Sequence, residues 1–152
     1  MAIEAPLSKH RRNNLIIYIA ICVAFALWFG YDGYLNAKFK EEHTQNGRAD
    51  GTLIFNQWAP PFLLGAAMLL GLYLFKIRDS KIVADDTSLV IRGGRRIPYD
   101  AIEKIDKTYF DSKGYFVITY KDQSGTEIDH KISDRKYDNL GPILDHLVAK
   151  IT

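Results

Sequence analysis

The stretch Trp58–Phe75, WAPPFLLGAAMLLGLYLF, has no charged side chain and hands over at once to Lys76, Arg78 and Lys81. A helix of that length rises about 27 Å, close to the thickness of a hydrocarbon core. Pro60-Pro61 falls where the first turn of such a helix would lie. A missing N–H costs little there, so the prolines are expected to start the span rather than break it. The uncharged Gly51–Gln57 before them is expected to lie along the outer surface ahead of the span. Further back, the run Leu15–Tyr31 is also uncharged and would rise roughly 25 Å as a helix. Lys9, His10, Arg11 and Arg12 precede it. A basic flank before an apolar run also opens a signal peptide. This run ends in Trp28, Phe29 and Tyr31 rather than a small-residue cleavage site, which favours a retained helix.

Charge orients the two spans. The N-terminal flank carries Lys9, Arg11 and Arg12 against Glu4. The stretch between the spans has Lys38, Lys40 and Arg48 against Asp32, Glu41, Glu42 and Asp50. The excess of Lys and Arg on the outer flanks places both termini in the cytoplasm and the connecting loop outside. Trp28, Tyr31, Tyr34 and Trp58 then share one interface, where amphipathic rings settle. The expected organisation is a cytoplasmic segment 1–14, a transmembrane helix 15–35, an extracytoplasmic loop 36–57, a transmembrane helix 58–77 and a cytoplasmic domain 78–152. In the loop, KFKEEH has helical character and TQNGRADG turn character.

Small residues recur at helical spacing: Ala20 with Ala24, Ala26 with Gly30, and Ala67 with Gly71. Such spacing lets helix backbones approach closely. Two uses stay open, packing of the hairpin's own helices and packing against another membrane subunit. No ionisable residue lies midway along either span, which argues against an ion or proton path through this chain alone.

The bulk composition, 47% apolar and 25% charged with net charge +2, averages a greasy half with a charged half. From Arg78 onward thirteen Lys/Arg balance thirteen Asp/Glu, so this half lacks the basic excess that nucleic acid demands. The single cysteine, Cys22, lies in the first apolar run, which excludes an intramolecular disulfide and a cysteine-based metal site. Six short strands are readable: 81–85, 88–92, 95–99, 105–110, 115–120 and 126–132. Gly93-Gly94 between the second and third predicts a two-residue hairpin turn. DAIEKI is expected to connect, with Ile102 and Ile105 inward. Leu140, Ile143, Leu144, Leu147, Val148 and Ile151 form one apolar helical stripe, with Gly141-Pro142 at its start. Strands followed by one amphipathic helix predict a bent antiparallel sheet capped by that helix.

The phrase DDTSLVIRGGRRIPYDAIEKID, the Lys113-Gly114 turn before an aromatic strand and the closing helix resemble bacterial pleckstrin-homology-like (PH-like) domains. In particular they resemble those of small membrane proteins with two N-terminal spans. The matching positions are Asp86, Leu89, Gly94, Ile97-Pro98-Tyr99, Ile102, Ile105-Asp106, Lys113-Gly114 and Tyr137-Asp138. They cover about half the chain. A complete barrel of that family has seven strands, against six readable here. The resemblance implies a bacterial inner-membrane protein whose domain is a non-catalytic binding or scaffolding module. It names no ligand.

Among candidate residues, Arg92, Arg95 and Arg96 cluster at the Gly-Gly turn, with Lys76, Arg78 and Lys81 beside the second span. Together they suit anionic lipid headgroups, at about 1 kcal/mol per basic residue near a negative surface. The plainer reading is a solvated hairpin tip. His130 alternates with Ile128 and Ile132 and is expected as a half-buried core histidine, His146 as a solvated one. His43 beside Glu41 and Glu42 makes no helical metal pair. Ser133 and Lys136 share the S-x-x-K spacing without its partner motifs. No phosphate-loop, dinucleotide or zinc spacing occurs, so no cofactor, metal or catalytic residue is expected. Two functions remain: an accessory or assembly subunit that meets a membrane-protein partner or a further copy of itself, and a lipid-headgroup reader.

Overall fold

The computed structural model describes residues 1–152 apart from the side chain of Arg92. The chain divides into two compact units, a head of Met1–Arg12 with Ile77–Thr152 and a hairpin of Asn13–Lys76. The N-terminal residues therefore belong with the C-terminal domain and do not form a separate segment.

The elements run in order as β1 (Ile3–Pro6), α1 (Lys9–Gly30, continued by a π-helical turn Tyr31–Leu35), α2 (Ala37–Glu42), β2 (Thr44–Gln45), β3 (Arg48–Ala49) and α3 (Gly51–Ile77). Then follow β4 (Lys81–Ala84), β5 (Ser88–Ile91), β6 (Arg95–Pro98), β7 (Ile102–Asp106), α4 (Phe110–Lys113), β8 (Tyr115–Lys121), β9 (Glu127–Ser133) and α5 (Leu140–Ile151).

The head holds an antiparallel sheet in the order β1-β4-β5-β6 and a second in the order β7-β8-β9. β1 is the strand that sequence reading missed. It pairs Ile3 with Ala84 and Pro6 with Lys81, so the whole hairpin is inserted between two neighbouring strands. The β5–β6 turn is Arg92-Gly93-Gly94, one residue longer than expected, because Ile91 pairs with Arg95. Gly93 and Gly94 both take positive φ, +81° and +83°, a region that side chains disfavour. The strand expected at 105–110 lies earlier, at 102–106. A type of turn not foreseen follows it: Phe110–Lys113 coils into α4 and closes on left-handed Gly114.

α5 begins and ends where its stripe predicts, and Leu140, Ile143, Leu144 and Leu147 are buried. They pack with Ile82, Leu89, Ile97, Phe116, Ile118 and Ile132 into one core. Ser133 O and Pro6 O hold the turn before α5, through the N–H groups of Tyr137 and Asp138. Asp138 also accepts from Lys9 N at 3.0 Å, a cap for α1 supplied from the other end of the chain. His146 is not solvated. Its Nε2 lies 3.1 Å from Asp85 O and its ring meets the edge of Tyr99. Tyr99 donates to the same carbonyl at 2.5 Å; burial, aided by Asp85 and Asp86, pushes its hydroxyl up to about 12.

In the hairpin, α1 with its π turn and α3 are each long and apolar enough to cross a membrane. Only 6% and 11% of their most apolar windows are buried, unlike the core helices of a water-soluble protein. α1 starts at Lys9, not at residue 15, and α3 at Gly51, not at residue 58. Gly51–Gln57 is thus helical, started by Asp50, whose Oδ1 accepts from Leu53 N at 2.9 Å. Pro60 and Pro61 consequently sit inside α3, where they deprive the carbonyls of Asn56 and Gln57 of their helical donors. Tyr34 repairs one loss by donating its hydroxyl to Gln57 O at 2.7 Å, while Gln57 Nε2 donates to Gly33 O at 3.1 Å. Gly33 is buried against Asn56, and a Cβ on it would stand 2.7 Å from the Asn56 carbonyl oxygen.

The less exposed positions include Leu15, Ile19, Cys22, Ala26, Phe29 and Gly33 on α1, and Leu53, Asn56, Pro60, Leu63, Ala67, Leu70 and Leu74 on α3. Steps of four and three alternate along both sets, the seam spacing of paired helices. Ala26 and Ala67 are buried on it, and Gly30 meets the Pro60 ring. Ala20 and Ala24 are exposed and off the seam, and Gly71 is half-buried. The connecting loop forms the short β2–β3 hairpin around Asn46-Gly47, both with positive φ. His43 Nδ1 lies 2.7 Å from Asp50 Oδ2. Hydrogen bonds from Leu53 N and then His43 hold the Asp50 carboxyl below its usual range.

Candidate functional site: a basic cleft on the head

Among the six basic residues singled out from the sequence, those described on the head have different surroundings. Lys81 is engaged by Glu4 at 2.6 Å across the β1–β4 pair, and Arg78 by Asp79 at 3.2 Å. Lys76 ends the hairpin unit. The Arg92 side chain lies outside the described residues. Arg95 and Arg96 are neighbours on a strand and so face opposite ways.

Register decides which of them matters. Arg95 alternates in register with buried Ile97 but is itself exposed, at the open end of the sheet. There its Nη1 reaches Tyr120 Oη at 3.4 Å. It lines a cleft of about 290 Å³ together with Arg11, Ile91, His130, Lys131, Lys136 and Tyr137. A second cleft, of about 530 Å³, lies on the other side of Arg95 and takes in Arg96, Tyr120, Lys121 and Asp122. In the second the charge is largely answered. Lys121 pairs with Glu103 at 2.6 Å, and Asp122 is itself part of the lining.

The first cleft is different: among the described residues, no carboxylate lines it. The basic groups arrive from three parts of the head besides β6. Arg11 comes from the first turn of α1, docked by the Asp138 cap and by Ser8 N donating to Lys136 O at 2.9 Å. His130 and Lys131 come from β9, and Lys136 from the turn behind it. Lys131 Nζ lies over the Tyr115 ring at 3.6 Å, in a ladder where Tyr115 stacks on Tyr109 and Lys113 caps Tyr109. Its charge is therefore partly spent on the ring. Arg95 and Lys136 form no ion pair among the described residues.

His130 faces inward with Ile128 and Ile132, as strand alternation requires, yet it lines this cleft instead of filling the core. Burial first, and then the charges of Arg95 and Lys136, hold its pKa below the ordinary histidine value. Sequence reading found Arg95 but grouped it with the wrong neighbours. The signal available for His130 was its place on the inward face. Nothing local tied Arg11 or Lys136 to it. Chemically, the cleft gathers charge-assisted donors of one sign, an arrangement that holds an anion. Comparison with protein-family models, with curated proteins and with solved structures finds no match for this chain.

Proposed function

We propose that this protein is a two-pass membrane-anchored interaction module of a bacterial inner membrane. Its cytoplasmic head, PH-like in kind, serves a larger membrane complex as an accessory or assembly subunit. The observation that carries the reading is the insertion of the helical hairpin between β1 and β4. Two strands that pair in one sheet lie on one side of any membrane their connection crosses, so residues 1–8 and the head share a compartment. The basic flanks make that compartment the cytoplasm. Seven strands in sheets of four and three, closed by α5, support the PH-like reading, with β1 as the seventh. The exposed apolar faces of α1 and α3 suit lipid or a neighbouring subunit.

Purification of the full chain in a mild detergent, with mass spectrometry of whatever co-elutes, tests the partner. A stable complex is the expected outcome, and recovery only as a lone monomer sinks the accessory-subunit reading. Accessibility of a cysteine placed at Asn46 tests the orientation separately: it should react only from outside. The lipid-headgroup alternative narrows from the hairpin tip to the carboxylate-free cleft.

A further inference from the structure

We propose that the cleft between Arg11, Arg95, His130 and Lys136 binds a phosphate-class oxyanion, the phosphate of a lipid headgroup or a free phosphate group. Four groups able to donate to such an anion converge from α1, β6, β9 and the turn before α5. No short loop brings them together; Arg11 follows the β1 strand that pairs with β4, while the other three come from β6, β9 and the turn after it. The head carries fourteen Asp/Glu against sixteen Lys/Arg, yet none of its carboxylates, among the described residues, lines this cleft. Gathering like charges is unfavourable on its own, and a bound anion converts that repulsion into attraction. Arg95 offers the planar fork that matches phosphate oxygens, and Lys136 a mobile point charge beside it.

Size limits the ligand further. A volume of about 290 Å³ suits one phosphate with a small polar substituent. Ile91 and Tyr137 supply a modest apolar wall for that substituent. Extended nucleic acid, which needs a continuous basic track, does not suit a head whose sixteen Lys/Arg are nearly balanced by fourteen Asp/Glu. Arg11 stands four residues before Leu15 on the helix that begins the first apolar run, so a headgroup is within the chemistry the site can meet. That lipid source rests on the anchored-module reading, whereas a free phosphate group does not.

The test uses the full chain with labelled histidines, followed by NMR of the His130 imidazole. Inorganic phosphate is titrated in neutral detergent. In parallel, the chain is placed in phosphatidylcholine nanodiscs with and without phosphatidic acid. The expected result is a saturable shift of the His130 resonances, with its titration moved to higher pH. A response to inorganic phosphate in detergent marks a free-phosphate site. A response confined to discs containing phosphatidic acid marks a headgroup site. Arg95→Gln and Lys136→Gln should each weaken the response about tenfold, a loss of roughly one charge-assisted contact. Lys104→Gln and Lys107→Gln, charges on the same head away from the cleft, should leave it within about twofold. The proposal is overturned if neither medium moves His130, or if Lys104→Gln weakens binding as much as Arg95→Gln does. Co-purification of a partner is independent of all these outcomes, so either idea can fail alone.

Discussion

The head and the hairpin bury their residues by opposite means. The head closes seven strands and α5 around large side chains with no exposure at all, among them Phe116, Ile118, Ile132, Ile143 and Leu147. Apart from Leu53, the hairpin buries mainly small and polar residues, among them Ala26, Gly33, Asn56 and Ala67, and leaves Leu27, Phe62, Leu69 and Phe75 more than 60% exposed. In water the first arrangement is the stable one, because removing apolar area from water drives it. Where the surroundings are as apolar as the side chains, close backbone approach and satisfied polar groups take over. The contrast sets a unit whose burial suits water beside one whose two helices are long and apolar enough to cross a membrane and stay largely unburied.

Four substitutions break or sharpen that contrast, beginning with the largest effect. Phe116→Ala empties the centre of the head, where the ring is fully buried and meets Phe110 edge-on. It should cost about 3–5 kcal/mol. Denaturant unfolding of the full chain in detergent should show the sheet signal lost early and the helical signal of the hairpin kept. Gly33→Ala addresses the other unit. Its Cβ would meet the Asn56 and Gln57 backbone, which cannot step aside cheaply. A loss of about 1–3 kcal/mol is expected in the hairpin, with the head unchanged. Cross-linking between cysteines placed at Phe29 and Phe55, whose rings lie 5.3 Å apart, reads out the separation.

Asp138→Ala removes the cap on α1 and should cost about 1 kcal/mol. Amide exchange should quicken in the first turn of α1 and hardly elsewhere; an unchanged rate there would mean that the cap contributes nothing. The smallest effect concerns pH. The folded pKa of His130 is depressed, so the unfolded chain binds more protons in the window below the ordinary histidine value of 6.5. Stability should therefore fall as pH drops through that window. His130→Gln should flatten the profile there, and a bound phosphate should reduce the slope as well. Melting temperature against pH, with and without phosphate, measures both.

Legibility followed locality. The boundaries of α5 were readable because its apolar spacing lies wholly within twelve residues. The turn at Asn46-Gly47 and the strand at 115–120 were readable for the same reason. β1 was not. Four residues, IEAP, carry almost no strand signal, and their partners at Lys81–Ala84 lie far along the chain. The start of α3 was misread because Pro60-Pro61 implied a beginning. What keeps that helix continuous is a tyrosine and a glycine on another helix. The cleft failed on similar grounds. Arg95 stood out in the sequence, but its companions Arg11, His130 and Lys136 come from a helix, a strand of the other sheet and a turn, brought to it only by the tertiary packing of the head. Both arginines of the adjacent pair line the second cleft and only Arg95 lines the first, a difference that adjacency in a sequence conceals.

The docking of β1 against β4 has a consequence for the order of manufacture. The first strand leaves the ribosome long before its partner exists, and about 75 residues must be added before the two can meet. At typical synthesis rates that takes about 4–15 s. During that interval both apolar helices emerge and find their surroundings. If the hairpin were threaded the wrong way, with its ends on opposite sides, Ile3–Pro6 would never reach Lys81–Ala84 and the head would lack an edge strand. In the proposed two-pass arrangement, completion of the sheet therefore requires both ends of the hairpin on one side, and the same condition brings Arg11 to Arg95.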